Sequence, residues 1–279
     1  MSLSAVDYTA PDAARQFVES LRTTGFGVLK NHPIDQALVD SIYQHWQEFF
    51  ATDDKFNYAY DREKQDGFFS MSQAETAKNF AARDIKEYFH FYPWGRCPPS
   101  LRAELQTYFD AAHRFAAELL SWIEQLSPPA VAAGYSEPLS GMIDDSDQTL
   151  LRILHYPPLT GSEAPDAVRA AAHEDINLIT ILPAASVTGL QVLGSDGRWI
   201  DVPCEFENII INTGDMLQEA SGGYFVSTKH RVINPPGPDS RKGRMSLPLF
   251  LHPRSDVVLS ERHTAGTYLE ERLRELRVV

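Results

Sequence analysis

From residue 150 to residue 251 the chain passes through seven short, β-branched, apolar stretches with no helical segment between them. They are "LLRILHY" (150–156), "INLITIL" (176–182), "TGLQVLG" (188–194), "RWIDV" (198–202), "NIIINTGD" (208–215), "YFVSTKHRVI" (224–233) and "RMSLPLFL" (244–251). Runs of this length and composition, bounded by turn residues, read as strands. "SDG" at 195–197 supplies a hairpin signal and "NPPGPDSRKG" at 234–243 a long loop. Parallel strands need long, usually helical crossovers. The pattern therefore predicts an antiparallel sandwich or barrel rather than a parallel sheet.

The first half has the other period. Residues 11–23 predict a short helix, and "GFGVLKN" (25–31) a short strand. Ile34, Leu38, Ile42, Trp46 and Phe49 recur at helical spacing behind a candidate N-cap, Asp35. Residues 52–97 read as irregular and aromatic-rich, and the aromatic segment 56–94 reads either as a lid or pocket wall or as packing under a long loop. A long amphipathic helix follows, with Leu101, Leu105, Tyr108, Phe109, Ala112, Phe115, Leu119, Leu120 and Ile123 on one stripe and Pro pairs at both ends. Such a stripe needs a surface to cover. The tail "TYLEERLRELRVV" predicts a short charged helix. The expectation is a single mixed α+β domain over 1–279: a mainly helical part at 1–140, a stranded core at 150–253 and a helical tail at 254–279.

Charge narrows the partners. The net charge of −13 disfavours a general nucleic-acid binder, which needs clustered Lys and Arg, and also disfavours an anionic membrane surface. The two cysteines, Cys97 and Cys204, form no CxxC pair, so a zinc ribbon or thioredoxin motif is not expected. The start of the chain does not read as a signal peptide, and no apolar run reaches 18 residues. A cytoplasmic protein acting on a small molecule, as a monomer or small homo-oligomer, is expected.

Five residues carry candidate chemistry. "AAHEDINLITIL" (171–182) reads as a strand that begins with polar residues, which are costly to bury unpaired. On a strand, His173 and Asp175 share a face and Glu174 points away. A core His beside a carboxylate gives the same pattern by chance. His230, in the strand-like "STKHRVI", adds a third donor. Two His and one carboxylate from separate strands make the facial triad of non-haem Fe(II) oxygenases, which leaves the opposite coordination face open; Mn, Co, Ni or Zn would also fit. Arg244 and Ser246 form another i, i+2 pair, a fork and a hydroxyl suited to a carboxylate. His32 is expected to fix a turn and His113 to be structural, while His90, His252 and His263 have no partner at ligand spacing.

The stretch from "HEDINLITIL" through "GLQV", "NTGD" and "KHRV" to "RMS" resembles the core of the iron(II)- and 2-oxoglutarate-dependent dioxygenases, isopenicillin N synthase-like branch. "GFGVLKNHPI" and Asp84, Lys86 and Glu87 in "DIKEYF" match further elements of that branch. The similarity runs from about residue 20 to about residue 253. It implies a double-stranded β-helix (jelly roll) core flanked by N-terminal helices, with the long helix packed on the sheet. It implies His173, Asp175 and His230 as iron ligands and catalytic centre. It implies Arg244, Ser246 and Tyr156 as contacts to 2-oxoglutarate, and Phe250 as a substrate-pocket residue. It implies Fe(II), 2-oxoglutarate as cosubstrate, O2 and stimulation by ascorbate. With Asp175 present, hydroxylation, desaturation or ring closure is implied rather than halogenation.

The chain departs from the family pattern at Leu154, where many relatives have Asn, at Glu174 and "SGG" (221–223), and in its enlarged 234–243 loop. Two other readings stand beside the main one, the first motivated by Leu154 and the long loop, the second only by the reuse of such a fold as a container. One is an iron oxidase on the same fold that uses no 2-oxoglutarate. The other is a metal-dependent binding protein without turnover.

Overall fold

The computed structural model describes residues 3–71, 84–164, 167–185, 188–203, 205 and 207–275. Cys204 and the 72–83 part of the aromatic segment lie outside the described residues. The helices are α1 (Ala13–Thr24), α2 (Gln36–Phe50), α3 (Pro99–Leu126), α4 (Pro129–Ala132), α5 (Asp215–Ala220) and α6 (Ala265–Glu275). The N-terminal strands are β1 (Ala5–Asp7), β2 (Phe26–Lys30), β3 (Gly67–Phe69) and β4 (Glu87–Phe91). The later strands are β5 (Leu150–Tyr156), β6 (Ala170–His173), β7 (Ile179–Pro183), β8 (Leu190–Leu193), β9 (Trp199–Asp201), β10 (Ile209–Thr213), β11 (His230–Val232), β12 (Arg244–Ser246) and β13 (Leu249–Leu251).

They build two sheets. The larger has the order β1-β2-β10-β7-β13-β5-β4-β3, with β12 also on β5, and the smaller has the order β6-β11-β8-β9. Every described pairing is antiparallel except β1 with β2. This is the expected mixed α+β jelly roll.

Strand alternation sorts the apolar residues into two cores. On β5, Leu151 and Ile153 join Ile181, Ile209, Ile211 and Leu249 against Trp46, Leu105 and Leu119 of the helices. Leu154 and Tyr156, of opposite parity, turn inward with Phe26, Val28, Leu190, Val192 and Val232. The first core fixes the large sheet on its helical backing. The second lines the space between the sheets, where the candidate site lies. The α3 stripe predicted from the sequence is buried from Leu105 to Ile123, with Leu101 partly buried, and the Tyr108 hydroxyl on it donates to the Leu247 carbonyl at 3.2 Å. Asp35 caps α2 by accepting from the Ala37 amide.

Four expectations need correction. The stranded stretches do have a helix between them: β10 ends at Thr213 and α5 occupies Asp215–Ala220. Residues 52–97 are not all irregular, since they contain β3 and β4. All five β4 residues are buried, which erases the polar alternation that marks a half-exposed strand. "YFVSTKHRVI" is a strand only at His230–Val232, because residues before it are held in the turn after α5: the Ser227 amide donates to Gln218 Oε1 and the Phe225 amide to Ser221 Oγ. "RMSLPLFL" is two strands, broken where Pro248 has no N–H to give the ladder.

Candidate active site

"AAHEDINLITIL" is not one strand. β6 ends at His173 in the small sheet, and β7 begins at Ile179 in the large one. Asp175 belongs to the crossing between them. His173 and Asp175 therefore converge because the chain changes sheets, not because one strand alternates. The crossing is tied down by its own backbone: the Asp215 amide donates to the Asp175 carbonyl at 2.7 Å, and the Gly214 amide to the Leu178 carbonyl at 2.8 Å. Gly214 has to be glycine, since a Cβ there would lie 2.0 Å from the Asn177 carbonyl oxygen. This is the structural content of "NTGD".

His230 arrives on β11, the register partner of His173 on β6. The two rings are 4.3 Å apart between centroids. Asp175 Oδ1 lies 3.8 Å from His173 Nε2 and 3.7 Å from His230 Nε2, too far for hydrogen bonds. One donor atom from each residue falls within 4.8 Å of the others, and this is the one such His, Cys and carboxylate group among the described residues. The other ring nitrogens are engaged: His173 Nδ1 donates to the Ala171 carbonyl at 2.8 Å and His230 Nδ1 to the Thr228 carbonyl at 3.2 Å. A proton on each Nδ1 leaves both Nε2 lone pairs facing the gap, the tautomer a metal ligand needs.

The carboxylate is equally prepared. Asp175 Oδ2 accepts from Thr180 Oγ1 at 2.6 Å and from Asn212 Nδ2 at 2.8 Å, which leaves Oδ1 for the gap. Burial alone would raise the Asp175 pKa. The His230 and His173 rings, with the Asn212 and Thr180 hydrogen bonds, more than reverse this and hold it below the usual carboxylate range. His173 is pushed down to about 4, by desolvation first and then by His230. Anionic carboxylate and neutral imidazoles are the forms that bind a divalent cation.

The residues present thus fit a metal ion. Arg244 and Ser246 present donors that suit a carboxylate. Arg244 lies opposite Tyr156 and Ser246 opposite Leu154 across the β12–β5 ladder, and all four are buried. The Arg244 guanidinium sits 5.6 Å from the Tyr156 ring centroid. Its Nε and Nη1 are buried without a partner among the described residues. Phe250, on β13, is the register partner of Thr180 and so neighbours the support of Asp175. Its other neighbours include Arg152, 5.3 Å from its ring.

The remaining predicted residues take structural roles. His32 Nδ1 accepts from the Ile34 amide and fixes its turn, and His113 Nε2 contacts the Ile143 carbonyl. His155 points to the outer face, stacked on Phe50 and paired with Glu87. Asp84 and Lys86 form a buried ion pair of 2.9 Å, and the Asp84 carboxylate also accepts from the Ala171 amide, which pins β6 two residues before His173. Sequence reasoning missed Thr180 and Asn212, which stand inside motifs already singled out, "INLITIL" and "NTGD".

A jelly roll with two imidazoles and a carboxylate converging between its sheets defines the class of non-haem Fe(II) enzymes. The sequence profile of the 2OG-Fe(II) oxygenase superfamily matches residues 147–253, and that of the non-haem dioxygenase in morphine synthesis N-terminal region matches residues 1–110. The fold matches a solved Shewanella oneidensis protein over 100% of both chains, at 59% identity and a TM-score of 0.91. Gibberellin 2-beta-dioxygenase of Phaseolus coccineus is 27% identical over 89% of this chain and 76% of its own length. In fold alone, the chain also resembles a Neurospora crassa protein crystallised with alpha-KG: TM-score 0.81, 22% identity, 98% and 96% of the two chains. The chain belongs to the 2OG-Fe(II) oxygenase superfamily and is an Fe(II)/2-oxoglutarate-dependent dioxygenase. This sets aside the two other readings of the sequence.

Proposed function

We propose that His173, Asp175 and His230 hold Fe(II), that Arg244, Ser246 and Tyr156 receive the distal carboxylate of 2-oxoglutarate, and that Phe250 faces the substrate. The observation that carries this reading is Oδ1 of the buried Asp175 carboxylate, which faces both imidazole Nε2 atoms at 3.7 and 3.8 Å, beyond hydrogen-bond distance. When bound, Fe(II) supplies the centre at which O2 and 2-oxoglutarate react with the substrate R–H to give R–OH, succinate and CO2. The chain supplies position. Thr180 and Asn212 hold one carboxylate oxygen so that the other faces the metal. The Ala171 and Thr228 carbonyls fix the imidazole tautomers. Arg244 anchors the far end of the cosubstrate, which fixes the direction in which its 2-oxo acid end reaches the metal.

Because Asp175 occupies the carboxylate position, the product class is hydroxylation, desaturation or ring closure rather than halogenation. The Phe250 ring, with the Arg152 guanidinium over it, would form one wall of a pocket for a small organic molecule. No helix among the described residues is long and apolar enough to cross a membrane; we place the enzyme in the cytoplasm, as a monomer or small homo-oligomer. The test is succinate formation by pure protein with Fe(II), ascorbate, 2-oxoglutarate and a broad metabolite panel. Succinate is expected above that of a His230→Ala control; equal yields would overturn the assignment.

A further inference from the structure

Arg169 is among the largest side chains in this protein with no exposed surface, and it directly precedes β6. Its position is fixed at both ends. The backbone amide donates to Asn234 Oδ1 at 3.1 Å, and Nη2 donates to the Lys242 carbonyl at 2.7 Å. That carbonyl lies two residues before Arg244. Burial, and then repulsion from Arg244, lower the Arg169 pKa. Arg169 Nε and Nη1 have no acceptor among the described residues, and neither do Nε and Nη1 of Arg244. Arg169, tied to the chain two residues before Arg244, and Arg244 itself are therefore buried with four nitrogens unsatisfied and no counter-charge on them among the described residues. Buried arginines without an anion are costly twice over, through desolvation and through mutual repulsion.

The missing partner has a definite chemistry. It is an anion with enough lone pairs for two forks, which a carboxylate has. Its location distinguishes cosubstrate from substrate. Arg169 is tied to Lys242, on the side of Arg244 away from Phe250 and Thr180 along the β12–β13 edge. Leu154, opposite Ser246, offers no donor. A donor from another strand can take up what that position does not give.

We propose that Arg169 is a second binding residue for the distal carboxylate of 2-oxoglutarate and closes a two-arginine clamp with Arg244. The proposal rests on the reading of Arg244 as the cosubstrate anchor. It makes the enzyme stricter than a single arginine would about the charge at the far end of its 2-oxo acid.

Titration calorimetry on full-length Mn(II)-loaded protein tests it with two ligands. 2-Oxoglutarate has the distal carboxylate; 2-oxopentanoate has the same chelating end and a methyl group instead. Arg169→Met is expected to weaken 2-oxoglutarate at least 10-fold and leave 2-oxopentanoate unchanged, with Arg169→Lys in between. Without ligand, Arg169→Met is expected to melt at or above the wild-type temperature, since it removes an unpaired buried charge. Unchanged 2-oxoglutarate affinity, an equal loss for both acids, or a collapse of the ligand-free melting temperature would each overturn the clamp. If Arg169→Met does not accumulate as folded protein while Arg169→Lys does, the Lys variant decides by the same ligand comparison; if neither folds, Arg169 is structural and the clamp fails. Failure of the underlying reading looks different: wild type would not distinguish the two acids, or Arg244→Met would lose nothing.

Discussion

His173 and His230 are cross-strand partners at the adjoining ends of β6 and β11, with their rings 4.3 Å apart. Neither imidazole hydrogen-bonds the other, and both turn Nε2 toward one oxygen of the buried Asp175 carboxylate. Two strands of the small sheet thus supply two donors, and the crossing to the large sheet supplies the third. Replacing either His by Ala removes one of three protein donors. His173→Ala and His230→Ala are each expected to abolish stoichiometric Mn(II) binding, read by calorimetry or the free-Mn(II) electron paramagnetic resonance signal, while the far-ultraviolet circular dichroism stays that of wild type.

Thr180 donates to Asp175 Oδ2 at 2.6 Å. Thr180→Val keeps the shape and removes the donor. Partners behind metal ligands typically contribute about 10- to 100-fold in affinity. A loss of that size in metal affinity is expected, with a melting temperature of the metal-free protein within a few degrees of wild type. Unchanged metal affinity would show that Asn212 alone orients the carboxylate.

Gly214→Ala places a methyl 2.0 Å from the Asn177 carbonyl oxygen. The clash is with backbone, so the crossing that carries Asp175 must shift. A destabilisation of about 1–3 kcal/mol is expected, as for overpacked sites. It should be accompanied by weaker metal binding, because the strained segment and the ligand are one piece of chain. Denaturant unfolding and metal titration on the same preparation check both.

Glu87 makes a buried pair with Lys55 at 3.0 Å and with His155 at 2.8 Å. Burial would raise its pKa, but the hydrogen bonds from His155 and Lys55 and their charge bring it below the ordinary value. A carboxyl whose folded pKa is lowered adds stability that is complete above its unfolded pKa. That stability is lost as pH falls through the folded value. Glu87→Gln is therefore expected to be less stable than wild type at neutral pH and to approach it as the solution is acidified below the usual carboxylate range. Urea midpoints measured from pH 7 to pH 3 give the comparison; a constant gap between the two curves would refute the linkage.

Much of the fold was legible because burial on one face leaves a periodic trace. The α3 stripe and the inward and outward sets of β5 are visible in the order of the residues. Glu87–Phe91 left no such trace, since a strand buried on both faces has no polar alternation. The donor types were legible too: His173, Asp175, His230 and Arg244 are polar residues at strand-like positions, where burial needs a partner. What the sequence by itself determined was this inventory of elements and unusual donors. Only the tertiary structure decided that β6 and β7 belong to different sheets, so that Asp175 reaches the His pair from a crossing rather than from the same strand. It alone tied Arg169 to the Lys242 carbonyl, two residues before Arg244, across 73 positions of chain. The physical reason is that local pattern records which face of an element is buried, while the meeting of two charged groups depends on how distant elements pack.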